Sequence, residues 1–131
     1  MLSFKKEERL CSKKVIDLLY KSGSSFFLYP FKIQFIINPT ITSNSPIQVL
    51  FIVPKKRLKK AVDRNLVKRR MREVYRCHKQ TLLYAALPDS NIKIAISYLY
   101  VGNGIESFEQ IENSIKKSMS QLIRNLSKPV Q

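Results

Sequence analysis

The chain has 131 residues and a formal net charge of +15, from 24 Lys and Arg against 9 Asp and Glu. Its 44% hydrophobic content is enough for one domain with a core and argues against wholesale disorder. Twelve cations and two acids lie between Lys55 and Lys79, so this segment has a net charge of 12 − 2 = +10. This imbalance indicates a polyanionic partner, with nucleic acid favoured over an anionic membrane surface.

The cysteines and the N-terminus bear on the compartment. Cys11 and Cys77 fit neither a metal-binding spacing nor a disulfide framework, so we expect free thiols. The first ten residues carry charges where a signal peptide needs an apolar segment. The apolar run over residues 26–37 contains polar residues and is too short to cross a bilayer. The sequence therefore predicts a soluble, cytoplasmic protein with no membrane partner.

The first half of the chain predicts a helix followed by strands. Ser12 is placed to cap a helix over about residues 13–21, with Gly23 just past its end. "FKIQF", residues 31–35, alternates and predicts a half-buried strand whose polar face carries Lys32 and Gln34. After a turn-rich connection over residues 38–46, "IQVLFIV" (47–53) predicts a central strand, because it is mostly apolar and rich in β-branched residues.

The second half predicts two helices around one strand. The basic segment predicts a long helix over about residues 60–83, and residues 88–91 form a connection into a strand over 92–99. Ser107 and Gln110 are spaced as a capping box that opens the last helix. That helix has an apolar stripe formed by Phe108, Ile111, Ile115, Met119, Leu122 and Leu126.

The order of elements is α-β-β-(β)-α-β-α, with the bracketed strand optional. Long helices packed on one mixed sheet make a single small sandwich of the α+β class. We expect one nucleic-acid-binding domain over residues 1–131, with an ordered core over about residues 9–126.

The basic helix divides into two faces at about 100° per residue. One face is an apolar stripe for the sheet: Val67, Met71, Val74, Tyr75 and Leu82. A second face, named here the basic strip, gathers Asn65, Lys68, Arg69, Arg72, Arg76 and Lys79. Ordinary solvated faces mix signs, whereas Lys68, Arg72 and Arg76 stack like charges four residues apart. We therefore interpret the basic strip as a phosphate-binding surface, for which the forked guanidinium group is well suited.

"PKK" closing a strand, followed by "AVDRNLVKRRMREVYR", resembles the protein subunit of bacterial ribonuclease P. That family's signature is an Arg-Asn-Arg core and then x-Lys-Arg-x-x-Arg, which corresponds here to residues 64–72. "RLCSKKVIDLLYKSG", residues 9–23, is similar to the family's opening, and the resemblance extends from about residue 9 to 126. Two positions depart from the family pattern: Leu66 replaces the second Arg of the core, and Lys59-Lys60 replace Gly-Asn.

The resemblance implies a subunit of an endoribonuclease that matures the 5′ end of precursor tRNA. In that ribonucleoprotein an RNA subunit does the chemistry with Mg²⁺ ions bound mainly to the RNA, and the protein helps to hold the substrate. No small-molecule cofactor is implied. The resemblance also implies a ribosomal-protein-S5-domain-2-like fold with a left-handed β-α-β crossover, although the general rule favours the right-handed form.

The resemblance assigns two sets of binding residues. Those implied to contact the RNA subunit are Lys55, Lys56, Arg64, Asn65, Lys68, Arg69, Arg72 and Arg76. Those implied to line a cleft for the 5′ leader of precursor tRNA are Ile16, Tyr20, Lys32 and Gln34. An exposed tyrosine can stack on an unpaired base without reading its identity, but core packing remains an alternative for Tyr20.

The protein itself shows no catalytic set of residues. His78, the only histidine, falls among apolar positions of the basic helix, so we expect partly buried packing. Glu106, Glu109 and Glu112 can share a helix face, but the preference of a helix N-terminus for acids explains them more simply. No hydrolase or nucleotide-binding motif is present.

Two other functions remain open from the sequence. A ribosomal or other structured-RNA-binding protein without a role in cleavage would have the same basic composition. A DNA-binding module would place the basic helix in a major groove, with a thin apolar stripe and both sides exposed. The order of motifs argues against the first, and the width of the apolar stripe argues against the second.

Overall fold

A four-stranded mixed sheet organises the fold in this computed structural model, which describes residues 6–37, 46–87 and 92–127. The strands are β1 (Ser24–Leu28), β2 (Phe31–Ile37), β3 (Ile47–Ile52) and β4 (Ile94–Tyr100). Their order in the sheet is β1-β2-β4-β3. The β1–β2 and β2–β4 pairs are antiparallel, whereas β3 and β4 are parallel.

Three helices and two short 3-10 turns complete the described chain. They are a 3-10 turn at Lys6–Glu8, α1 (Lys13–Ser22), α2 (Ala61–Leu82), a 3-10 turn at Tyr84–Ala86 and α3 (Phe108–Ser127). The α+β class and the mixed sheet are therefore confirmed. A third strand before α2 exists, but as β1 it precedes the two strands that the sequence predicted, whereas the optional strand was predicted after them. The handedness of the β3–α2–β4 crossover and the S5-like detail stay predictions. The predicted connections over residues 38–45 and 88–91 lie outside the described residues.

The larger core lies between one face of the sheet and helices α2 and α3. Alternate strand residues point into it, because successive side chains of a strand face opposite sides. The predicted β2 alternation is confirmed, with Phe31, Ile33 and Phe35 buried. The stripe on α2 is also confirmed at its four central positions, while Leu82 is only partly buried.

A smaller core lies on the opposite face of the sheet, beneath α1. It consists of Leu10, Val15, Leu19 and Ala95, with Ile16, Ile36 and Leu50 partly buried against it. The sheet is thus covered on both faces, but α1 is much shorter than α2 and α3 together. Part of the sheet on the α1 side therefore remains open.

The prediction that β3 is a central strand was wrong. β3 lies at one end of the sheet order, beside β4 alone. Its largely apolar sequence follows from burial on both faces, because Val49 and Phe51 enter the larger core and Leu50 contacts the smaller one. The outer edge is partly paired by the N-terminal segment, where Arg9 bridges Val49 and Leu10 N donates to Val49 O at 3.0 Å.

The predicted helix starts are largely confirmed. Ser12 accepts a 3.4 Å hydrogen bond from Val15 N at the start of α1. Ser107 Oγ accepts from Gln110 N at 3.1 Å at the start of α3. The reciprocal half of the predicted capping box was wrong, because the Gln110 amide donates forward to Ser114 Oγ at 3.3 Å. Phe108 also departs from the predicted stripe and is 40% exposed.

Candidate nucleic-acid interface

Helix α2 has three sides with different surroundings. Its apolar stripe faces the sheet, where Val67, Met71, Val74 and Tyr75 are buried. A second side faces α3 and the segment before it, since His78 Nε2 lies 3.1 Å from Glu112 Oε2 and Arg70 Nη1 donates to Glu106 O at 2.7 Å. The basic strip lies on the remaining side. The fold therefore directs the strip away from both the sheet and α3.

The middle of the basic strip is accessible. Asn65, Arg69 and Arg72 are exposed, and Lys68 is half-buried. Because α2 is fixed along two sides, these side chains project from a rigid helix. Their accessible charge is what a phosphate backbone requires for binding.

Arg76, at the C-terminal part of the strip, has an acidic neighbour. Its Nη2 donates to Glu73 Oε1 at 2.5 Å and its Nε donates to Glu73 Oε2 at 3.1 Å. The guanidinium group holds the pKa of the Glu73 carboxyl below its usual range, and the carboxylate raises the pKa of Arg76. This bidentate pair partly neutralises Arg76, so it contributes less field to the strip than Arg69 or Arg72.

Lys79 does not belong to the accessible strip, and its placement there by helical periodicity was wrong. The residue is 5% exposed, and its ammonium group donates to Glu8 in the N-terminal 3-10 turn. Tyr84 OH also donates to Glu8 Oε1 at 2.5 Å, and Lys79 Nζ lies 5.8 Å from the centroid of the Tyr84 ring. The N-terminal segment covers this end of α2, so the buried sector is wider there than along the middle of the helix.

The segment before α2 holds two of the predicted RNA contacts, and a third, Arg64 near the start of α2, contacts this segment. Lys55 and Lys56 are exposed in the turn that follows β3. Arg64 Nη1 donates to Leu58 O at 2.9 Å and to Lys59 O at 2.8 Å. This guanidinium group therefore fastens the entry into α2, which the Lys60 N-cap does not stabilise with a side-chain hydrogen bond. Arg64 thus has a structural role that sequence reasoning missed, and its contact with RNA stays a prediction.

Two further arginines of the basic segment point toward the segment between β4 and α3. Arg57 Nη1 donates to Asn103 Oδ1 at 2.9 Å, and Arg70 donates to the Glu106 carbonyl. The Glu106 carboxylate in turn accepts from Tyr29 OH at 2.8 Å, which raises the pKa of the tyrosine. Arg70 therefore holds α2, and Arg57 the turn before it, to the segment before α3, so the charge available for a partner is smaller than the sequence total.

The predicted leader cleft corresponds to the open part of the sheet beside α1. Lys32 is exposed and Gln34 is half-buried on this face, and Tyr20 of α1 is 48% exposed. Ile16 lies one helical turn before Tyr20 but packs partly against the smaller core. Exposure of Tyr20 excludes the core-packing alternative for this residue.

Sequence reasoning missed two residues on the same face. Phe27 in β1 pairs with Lys32 and is 60% exposed, which is unusual for a phenylalanine. Ser97 in β4 pairs with Gln34, and its buried Oγ has no hydrogen-bond partner among the described residues. The only sequence signal was the pair of adjacent phenylalanines at 26 and 27, which a strand must direct to opposite faces.

The remaining chemical groups show no assembled catalytic centre in the part of the chain that the structure describes. His78 is partly buried, as predicted, although it also has Glu112 as a polar partner. Within residues 6–37, 46–87 and 92–127, no three His, Cys, Asp or Glu side chains lie close enough together to hold a metal ion. Cys11 and Cys77 are free thiols, as predicted. Among the described helices, none is long and apolar enough to cross a membrane.

Comparison with known proteins decides the family. The family model described as Ribonuclease P matches residues 4–126. The chain belongs to the ribonuclease P protein family. Its relatives include the ribonuclease P protein component of Porphyromonas gingivalis, 31% identical over 121 residues that cover 92% of this chain and 87% of the relative. The component of Chlorobium phaeobacteroides is 38% identical over 132 residues, covering 95% and 88% respectively.

Solved structures of ribonuclease P proteins have the same fold. The Staphylococcus aureus protein superposes with a TM-score of 0.68 at 23% identity, covering 92% of this chain and 98% of that one. The Thermotoga maritima protein gives a TM-score of 0.65 at 20% identity, covering 87% and 96%. The architecture is therefore retained while most side chains differ, and the family assignment rests on the sequence match.

Proposed function

We propose that this protein binds the RNA subunit of ribonuclease P through the basic strip and assists that RNA in removing the 5′ leader from precursor tRNA. The accessible members of the predicted contact set are Lys55, Lys56, Asn65, Lys68, Arg69 and Arg72. Arg64 and Arg76 add positive charge next to these residues. Each also donates hydrogen bonds within the protein, Arg64 to the Leu58 and Lys59 carbonyls and Arg76 to the Glu73 carboxylate. The observation that supports this proposal is the placement of Lys68, Arg69 and Arg72 on the one side of α2 that packs against neither sheet nor α3.

The physical reason for the proposal is charge compensation. The like charges of the half-buried Lys68 and the exposed Arg72 oppose each other across one helical turn, at a cost of a few tenths of a kcal/mol. Phosphate groups would offset this repulsion and would release condensed counterions into solution. A surface with these properties binds structured RNA chiefly through the phosphate backbone of the RNA. This mode of binding suits an RNA subunit that is recognised by its shape.

The open face beside α1 is proposed to bind the single-stranded leader. Tyr20 and Phe27 supply aromatic rings that can stack on bases of any sequence, and Lys32 supplies a cation for the backbone. Gln34 contributes a partly accessible amide, while Ile16 supports Tyr20 from the smaller core. Aromatic stacking with a backbone cation suits a substrate segment whose sequence varies.

Magnesium chemistry is proposed to belong to the RNA. The described residues bring together no cluster of ligating side chains, so they do not fit a dedicated protein site for Mg²⁺. The bound ions would supply the activated water for hydrolysis, as metal ions do in nucleases. The contribution of this chain is then to neutralise phosphates and to hold the substrate in position.

Reconstitution tests this function. The protein would be mixed with the RNA subunit from the same organism, and cleavage of precursor tRNA would be followed as the Mg²⁺ concentration is lowered. We expect the protein to maintain cleavage at Mg²⁺ concentrations where the RNA alone is slow, and to cleave nothing by itself. Cleavage rates that are identical with and without the protein across the titration would refute the proposed function.

A further inference from the structure

An open cavity on a different side of the molecule from the basic strip is not used by the proposed function. It has a volume of about 330 Å³ and lies where the end of β1, the end of α2 and α3 meet. Leu28 and Leu82 form its apolar part. Its polar rim is formed by Lys116, Lys117, Ser120, Gln121 and Arg124 of α3.

The rim carries charge of one sign. Residues 113–127 of α3 include Lys116, Lys117 and Arg124 but no acidic residue. All three cations are exposed. Arg124 Nη2 donates to Gln121 Oε1 at 2.9 Å, and Gln121 Nε2 donates to Asn125 Oδ1 at 3.2 Å. The guanidinium group is therefore held beside the cavity by its own helix.

The cavity and the basic strip are separate surfaces. The side of α2 that faces α3 carries Arg70 and His78, and the strip lies across the helix from that side. Leu28 belongs to β1, at the opposite end of the sheet order from β3. A partner bound along the strip therefore does not cover this cavity.

We propose that the cavity is a second RNA site, which binds an unpaired nucleotide of single-stranded RNA. An apolar floor accepts the face of a base, and a cationic rim accepts the adjoining phosphates. A volume of about 330 Å³ lies at the lower end of the range for small-ligand pockets, which fits one nucleotide and excludes a duplex. The bases of a duplex are stacked and paired, so none is free to enter. This proposal goes beyond the proposed function and does not depend on the strip or the leader cleft.

The test is an NMR titration of the full chain, with its leucine methyl groups labelled. A single-stranded oligouridylate is the probe, and a duplex RNA of equal length is the comparison. We expect the methyl resonances of Leu28 and Leu82 to shift with the single strand and to remain in place with the duplex. Inorganic phosphate alone should leave both resonances unchanged, because an ion on the rim does not contact the floor.

Two variants make the test specific. Ser120→Trp fills an exposed rim position and should abolish the shifts of both leucines. The combined Lys116→Gln, Lys117→Gln and Arg124→Gln variant should weaken the response and reduce the magnitude of the salt slope by about 2, at about 0.7 per phosphate contact on a single strand. A control that replaces Lys13, Lys14 and Lys21 of α1 with Gln removes equal charge and should leave the leucine response intact.

Several results would overturn the proposal. The first is that the oligouridylate does not shift the Leu28 and Leu82 methyl resonances. The second is that inorganic phosphate shifts them as much as the oligouridylate does. The third is that both cavity variants show the same shifts as the wild type. A response to an acidic peptide or to anionic lipid vesicles without one to the RNA would assign the cavity to a different partner. Urea unfolding of each variant establishes that it is folded. If Ser120→Trp does not fold, the charge variant alone tests the proposal. Cleavage of precursor tRNA is a separate readout, so the two proposals fail independently.

Discussion

At the residue scale, Gly23 was correctly predicted to follow the end of α1, but the physical reason for a glycine there is different from the expected one. A glycine just past a helix commonly adopts a left-handed conformation, but Gly23 has φ −70° and ψ 149°, which any residue can adopt. The requirement is space, since a Cβ at this position would lie 2.4 Å from the Leu19 carbonyl oxygen. The sequence could identify the residue but not the neighbour that demands it.

Gly23→Ala is therefore expected to lower the free energy of unfolding by about 1–3 kcal/mol, the usual range for overpacking. The obstructing atom belongs to the backbone, so it cannot move without disturbing the end of α1. Urea denaturation measures the effect, with Ser22→Ala as the matched control at the preceding exposed position. Equal stability of Gly23→Ala and the wild type would contradict the close approach.

The Lys79–Glu8 pair also belongs to the residue scale. Helical periodicity assigned Lys79 to the basic strip, because a wheel has no information about segments distant in sequence. The N-terminal turn, 71 residues earlier in the chain, buries the lysine and supplies its carboxylate. Only the tertiary structure could reveal this, since neither residue has a distinguishing local pattern.

Glu8→Gln removes the charge of the carboxylate that the buried Lys79 ammonium group contacts. Losing one partner of a buried ion pair is strongly destabilising, so we expect a loss of about 3–5 kcal/mol in the free energy of unfolding. The double variant Glu8→Gln, Lys79→Met removes both charges and should recover part of that loss. A double-mutant cycle by urea unfolding measures the coupling, and additive effects of the two substitutions would contradict a buried pair.

At the element scale, α2 was predicted well because its constraints are local. Val67, Met71, Val74 and Tyr75 repeat at helical spacing and are buried where the repeat requires. A third strand before α2 was foreseen only as optional, and its position as β1 was missed, because only Tyr29 and Pro30 separate residues 24–28 from the alternating segment of β2. The edge position of β3 was missed because an apolar sequence indicates that both faces of a strand are buried. It does not indicate how many strands pair with it.

The strip predicts a specific electrostatic signature for α2. Arg64→Ala and Arg72→Ala are each expected to reduce the magnitude of the salt slope of binding to the RNA subunit by about 0.7–0.9 units. Arg72→Ala should leave the free energy of unfolding unchanged, whereas Arg64→Ala should also lower it, since Arg64 holds the Leu58 and Lys59 carbonyls.

Filter binding across a salt series, with urea unfolding in parallel, provides both readouts. Lys21→Ala is the control, because it removes one exposed cation from α1 on the opposite face of the sheet. Unchanged slopes in both arginine variants would place the strip outside the interface.

The open face beside α1 makes a prediction about substrate choice. Tyr20→Ala and Phe27→Ala should each weaken binding of precursor tRNA carrying a leader by about 1–3 kcal/mol, the usual worth of base stacking on an aromatic ring. Affinity for mature tRNA should be unaffected, since it has no leader to stack. Tyr20→Phe is the matched control that retains the ring. Equal losses for both tRNA forms would assign these residues to another part of the substrate.

For the whole molecule, the fold class and the family could be predicted from the sequence. Which charged side chains are exposed and which are paired within the protein could not. The total of +15 overstates the charge available for binding, because Lys79 is paired in the interior and Arg57 and Arg70 hold the segment before α3. The exposed cations include two groups on separate sides of the molecule, the strip on α2 and the cavity rim on α3, besides others on α1, on β2 and in the turn after β3. The family resemblance identified the first, and only the assembled structure shows the second.

The strip also distinguishes this molecule from a module that inserts a helix into DNA. Such a module exposes its recognition helix along both sides, whereas α2 is packed against the sheet and α3. A single accessible side suits a broad, structured partner that lies over the surface.

The central claim is that the strip on α2 docks the protein onto the RNA that carries out the cleavage. The most direct measurement is the rate of precursor tRNA cleavage by the RNA subunit at limiting Mg²⁺, as wild-type protein or the Arg69→Gln, Arg72→Gln variant is titrated. We predict that the variant stimulates cleavage only at higher protein concentration and reaches the same final rate. Stimulation at the same concentration as the wild type, by a variant shown to be folded, would contradict the account.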